Sequence, residues 1–124
     1  MSPAVTAAAA AMAALVQAAG APNWVEIKRN AQRIAYYDAG RIERRGDIVR
    51  FTLRFDMATP DEGATRRTHD VEVDCARRTA RMLNGIDLDD AGTVVRTHEV
   101  PPDLVLHRPI PPGPGDRMLA LVCR

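Results

Sequence analysis

Few residues in this 124-residue chain could do covalent chemistry. It has two cysteines, Cys75 and the penultimate residue Cys123. Joined, they would close a loop of roughly 48 residues, which in the chain-entropy treatment stabilises by about 4 kcal/mol. Left apart, they would be two buried thiols of a cytosolic protein. We read them as a disulfide because the N-terminal segment points outside the cytosol, where disulfides persist. A cysteine nucleophile would require one of them to be free. The one serine is Ser2, which falls in the presumed leader, so a serine hydrolase is excluded. The sequence holds no H-E-x-x-H, no C-x-x-C, no phosphate loop and no dinucleotide fingerprint. Gly113-Pro114-Gly115 lacks the Lys and following Ser/Thr that a phosphate loop requires. No catalytic, cofactor-binding or metal-ligating residue is assigned. The chain is read as non-enzymatic and without a cofactor.

Three histidines, His69, His98 and His107, would have to converge to hold zinc. His69 falls on the apolar side of its strand, where a hydrogen-bonded core histidine is the default reading. His98 stands beside Glu99. Asp87, Asp89 and Asp90 precede Gly92 but lack the alternating ligands and distal Glu of a calcium loop, so they read as a solvated acidic turn. Arg45-Gly46-Asp47 spells the tripeptide that integrins read. It arises readily by chance in a chain with this much Arg and Asp, and it reads as a hairpin tip with Gly46 free to take positive φ.

The elements that position these residues are strands. In Thr68–Cys75, Thr68, Asp70, Glu72 and Asp74 alternate with His69, Val71, Val73 and Cys75, giving one polar and one buried face. Ala76-Arg77-Arg78 reverses the chain, and a partner strand runs from Thr79 to about Asn84. Asp47–Asp56 shows the clearest alternation, with Val49, Phe51, Leu53 and Phe55 on the buried side and Ile48, Arg50, Thr52 and Arg54 opposite. Trp24–Lys28, Arg33–Tyr37 and Thr93–Val100 are further strands, and Arg41–Arg44 is short and extended. Met57–Thr65, with Pro60 and Gly63 as breakers, reads as a loop. Asn84-Gly85 and Asp87–Gly92 read as another. Six prolines within Pro101–Pro114 make that run an irregular surface segment. Met118, Leu119 and Val122 at helical spacing give a short last helix over Gly115–Val122. Hairpin-sized connections without crossover helices imply an α+β, mostly β fold, an antiparallel meander of about six strands with a short C-terminal helix. If the two central strands are neighbours, Arg50 and Arg54 can pair with Glu72 and Asp74 across an open face.

Residues 1–21 are uncharged and mostly Ala. The stretch is too short and too weakly apolar for a membrane span. We read it as a signal peptide with a mature start near Asn23-Trp24; if retained, its Ala content favours helix. That leaves one domain, residues 22–124, with no integral membrane segment. Apolar residues make up 46% but aromatics only 4%, so the core must be aliphatic. The net charge is +1, and the Arg residues alternate with acids. Phosphate backbones need a basic excess on one face, so nucleic acid is not an expected partner.

Tyr37-Asp38-Ala39-Gly40-Arg41-Ile42-Glu43-Arg44, then Gly46 and an alternating strand, then Val71–Cys75, Pro111-Pro112-Gly113 and the terminal Cys123 together carry a resemblance. In this order and spacing the chain resembles the surface-adhesin protein E family, small envelope proteins of Gram-negative bacteria, over roughly Trp24–Arg124. The resemblance implies an antiparallel sheet joined to a C-terminal helix by a disulfide between Cys75 and Cys123. It also implies an exported protein of the periplasm or outer surface that binds an extracellular or envelope protein. A structural or stress-related envelope protein without a dedicated ligand is the alternative, and a small enzyme the third.

Overall fold

The structure is a computed structural model that describes residues 21–124. The expected leader, apart from Ala21, lies outside the described residues. The strands are β1 (Trp24–Arg29), β2 (Arg33–Asp38), β3 (Glu43–Arg45), β4 (Ile48–Asp61), β5 (Ala64–Asp74), β6 (Thr79–Leu88), β7 (Val94–His98) and β8 (Arg108–Pro109), followed by helix α1 (Pro114–Val122). All eight strands form one antiparallel sheet in the order β1-β2-β4-β5-β6-β7. The two short strands fill in beside longer ones. β3 pairs with the start of β4, next to where β2 pairs farther along, and β8 pairs with the start of β6, next to β7. The mostly-β meander with a terminal helix is therefore what the alternation implied.

Period-two patterning sorts the side chains. Ile27, Tyr37, Val49, Phe51, Leu53, Val71 and Val73 bury one face, and α1 lays Leu119 and Val122 across it. Tyr37 and Phe51 meet edge to face, ring centroids 6.3 Å apart, one of few aromatic contacts in an otherwise aliphatic core. Pro114 opens the helix, where its missing N–H leaves no bond unmade. Asp116 caps it, accepting the Gly113 N–H at 3.1 Å.

Three local expectations are corrected. Met57–Thr65 is not a loop. β4 runs on to Asp61 and turns in two residues, Glu62 (φ 48°) and Gly63 (φ 88°), the paired positive φ of a tight hairpin. Pro60 falls in the irregular stretch between the Asp56 and Asp61 pairings, where a residue without N–H breaks no ladder bond. Nor do Asn84-Gly85 and Asp87 leave the sheet, because β6 continues to Leu88. Gly85 serves packing here: the His69 ring lies where a Cβ would stand. The third correction concerns the proline-rich run. It is irregular, as expected, but it also adds β8, and its Leu104 carbonyl accepts the Met82 N–H at 2.8 Å. It thus forms a strap along the outer edge of β6.

Phe51 is 3% exposed, and its truncation should leave a cavity. Phe51→Ala should lower unfolding free energy by about 3–5 kcal/mol in a denaturant titration. Thr52→Ala, on the opposite face, loses its 2.8 Å hydrogen bond to Asp70 and should cost only about 1 kcal/mol. Equal costs would mean that the two faces are wrongly assigned.

Candidate functional site

Cys75 ends the apolar row of β5, and Cys123 follows the last turn of α1. Their sulfurs are bonded, with Cα atoms 5.7 Å apart. The bond holds the helix end at the β5–β6 bend, where Arg78 takes positive φ (55°) and gives a 3.0 Å bond to Asp116 at the helix start. Both ends of α1 are therefore tied to the same bend.

Two buried carboxylates organise the charged residues. Glu72 is on the face opposite α1 and is 7% exposed. The expected open face is thus closed at this point. Arg50 donates to it at 2.8 Å from β4 and Arg81 at 3.0 Å from β6, while His107 reaches down from the strap at 2.8 Å. The other ring nitrogen of His107 shares a 3.0 Å bond with Thr79. The His107 hydrogen bond, against the opposing effect of burial and with Arg81 and Arg50 adding to it, holds the Glu72 carboxyl down at about 2.

Asp87 has no exposed surface. It lies on the α1 side of the sheet, beyond the end of the helix, where Arg67 faces it across the β5–β6 ladder and Arg96 across β6–β7. Arg67 Nε donates at 2.8 Å, Arg96 approaches to 2.9 Å, and His98 Nε2 lies 2.6 Å from Oδ2. Burial pushes the Asp87 carboxyl up, but the hydrogen bonds and charges of Arg67 and His98 outweigh it and bring it to about 2.

The remaining candidates are dispersed. His69 is a hydrogen-bonded, half-buried histidine whose Nδ1 donates to the Asn84 carbonyl at 3.1 Å. Burial lowers its pKa, so it is neutral at pH 7. His69 and His98 are neighbours, with ring centroids 6.4 Å apart, whereas His107 belongs to Glu72. Among the described residues no three such side chains gather for a metal. Asp87, Asp89 and Asp90 diverge into an ion pair, a turn cap that accepts the Ala91 and Thr93 N–H groups, and an exposed side chain. Arg45-Gly46-Asp47 does form an exposed two-residue hairpin tip, with Gly46 at φ 61°. The expected Arg50–Glu72 pair is present. Arg54 instead grips Asp56 on its own strand through two 2.8 Å bonds and stacks over Trp24 and Tyr36. Asp74 is too far along β5 to meet Arg54, because it faces Ile48 in the register.

On the face away from the helix, Gly40, Ile42, Glu43, Arg50, Thr52 and Asp70 line a groove of about 500 Å³. It carries both signs of charge. Sequence reading missed both this groove and the Asp87 cluster. The groove depends on β3 standing off beside β4. The Asp87 cluster depends on β6 reaching past Gly85, which the turn signals argued against.

The described residues thus define a small disulfide-closed domain, a single antiparallel sheet capped on one face by a helix and open over much of the other. A model of the surface-adhesin protein E family matches residues 24–124, the whole sheet, the helix and both cysteines, and the chain belongs to that family. Searches of the curated proteins and of the solved structures found no match. Membership suggests a surface protein that engages an external partner, and no helix among the described residues is long and apolar enough to cross a membrane.

The two lowered carboxyls give a pH dependence with a definite sign. Both folded values lie near 2, below the ordinary values of 4.5 and 3.8. Their stabilisation is therefore complete above about pH 4.5 and is lost as the pH falls toward 2. Each is worth on the order of 2–3 kcal/mol. Thermal unfolding followed from pH 7 to 2 should show this fall, and Glu72→Gln or Asp87→Asn should be weaker at pH 7 and lose less in acid. A wild-type curve flat from pH 5 to 2 would contradict the assignment.

Proposed function

We propose that the protein is an exported, non-enzymatic binding module of the cell envelope, and that it engages an extracellular or envelope protein through the face away from α1. The observation that carries this reading is the 500 Å³ groove between Ile42, Arg50 and Asp70 on a sheet face that no helix among the described residues covers. Its walls mix Glu43 and Asp70 with Arg50. That pattern suits a protein surface, where both signs alternate, better than a nucleic acid, which presents one sign.

Export is supported from the other end of the domain. The chain is tied into the fold from Asn23 onward. The Asn23 N–H donates to the buried Asp38 carboxylate at 2.8 Å, and the Asn23 carbonyl accepts from Ala39 at 2.8 Å. A leader ending just before Asn23 would leave every strand intact, so residues 1–21 fit a removable signal peptide and 22–124 the mature domain.

Mass spectrometry of fractionated cells tests export. The protein should be found outside the cytosol, starting between about Ala19 and Trp24, with Cys75 and Cys123 in one cross-linked peptide. An intact cytosolic chain with two alkylatable thiols would overturn the reading. The recognition face has its own test on immobilised envelope and extracellular-matrix proteins. Asp70→Lys should weaken whatever binding the wild type shows by tenfold or more, while Asp90→Lys, in the exposed turn after β6, should leave it unchanged.

A further inference from the structure

A second concavity lies on the opposite, α1-covered side, between the helix and the proline-rich strap. Leu53, Val71 and Met82 form its floor, Met118 of α1 one wall, and Leu104 and Ile110 of the proline-rich strap the other, enclosing about 430 Å³. That lies within the range of small-molecule sites. Leu104 remains 38% exposed, though it faces an apolar floor. A peptide laid in this groove would bring amide groups that the floor side chains cannot hydrogen-bond, and each would be costly to bury. A hydrocarbon chain brings none. Two of the lining residues are methionines, whose unbranched side chains adapt to a flexible apolar guest.

The rim carries one cation. Arg81 and Arg108 both line the groove, but the Arg81 guanidinium turns to the other face of the sheet. Arg81 is held by Glu72, but Arg108, exposed on β8, has no acidic partner among the described residues. Its strand position opposite Ala80 puts it on the groove side of the sheet. An aliphatic trough with one uncommitted guanidinium at its mouth complements an aliphatic chain with an anionic end. We infer that this groove binds a long-chain fatty acid, its alkyl chain along Leu53, Val71 and Met82 and its carboxylate on Arg108. The open-face groove plays no part in this site, so either reading can fail without the other.

The test is calorimetric titration of the mature, disulfide-intact protein with octanoate, decanoate and dodecanoate below their micelle concentrations. Affinity should rise about fourfold per added methylene until the groove is full. Dodecanol should bind at least tenfold more weakly than dodecanoate. Arg108→Ala should erase that difference while leaving dodecanol binding unchanged. Met118→Trp should abolish both, and Leu104→Glu, at an exposed position, serves the same purpose if Met118→Trp unfolds the domain. No binding of dodecanoate up to its solubility limit would overturn the inference. So would binding indifferent to Arg108→Ala and to the groove variants, or binding to anionic phospholipid vesicles or an apolar peptide but not to the free acid.

Discussion

The helix that closes the apolar face is nine residues long, too short to persist alone in water. Its position therefore rests on what holds it down: Leu119 and Val122 in the core and the Cys75–Cys123 bond at the β5–β6 bend. Without the cap, the row Val49, Phe51, Val71 and Val73 would face solvent. A single sheet has no second layer to offer in its place. The aliphatic core makes this dependence sharper, because few large aromatic surfaces are available to bury. Arg78 and Asp116 add an exposed ion pair at the other end of the helix. A pair of that kind contributes little energy but fixes the direction in which the helix leaves the strap.

Where the helix stops, the chemistry of the same face changes. Beyond Leu53 and Val71 the inward positions are His69, Arg67, Asp87, Arg96 and His98; His69 bonds the Asn84 carbonyl and meets the Phe55 ring, and the other four satisfy one another. Among the described residues no buried side-chain polar atom lacks a hydrogen bond. That condition allows a fully buried Asp87 to add stability, since a buried charge with one partner missing would cost several kcal/mol. Glu72 repeats the arrangement on the other face, with the strap supplying His107 as a third donor. The strap is thus held by its backbone bonds to β6 and by its histidine on a buried carboxylate.

Much of this was legible in the residues. Strict alternation in Val49–Phe55 and Val71–Cys75 gave the faces, the register partner Arg50–Glu72 and the strand end at which Cys75 sits. The spacing of Met118, Leu119 and Val122 gave the helix. What could not be read was how far the strands run. Pro60 and Gly63 carry the composition of a loop, yet one lies at a pairing irregularity and the other in a two-residue turn. Asn84-Gly85 carries the composition of a turn, yet the glycine is there because the His69 ring occupies its Cβ space. At Gly85 a tertiary contact overrides the local signal, whereas at Gly63 the turn signal is right and only the turn is shorter than the composition suggests. Both candidate grooves follow from such contacts: one from β3 standing beside β4, the other from the strap lying along β6.

The open face carries a ladder of charges, with Arg50 and Arg81 on Glu72, Arg54 and Arg66 on Asp56, and Thr52 on Asp70. Apart from the buried Glu72, half-exposed pairs of this sort contribute roughly 0–1 kcal/mol each, so stability alone is a weak reason for so many. Their physical effect is to hold long, flexible Arg side chains in defined positions, with Arg54 also fixed against two rings. A surface whose charges are already ordered loses less conformational freedom on binding. At a net charge of +1 the molecule has little long-range field with which to attract a partner. On the binding reading proposed above, recognition on this face would be local, through a partner whose charges match the ladder at contact distance. A surface that mixes both signs at contact distance suits a protein partner better than a polyanion, which presents one sign.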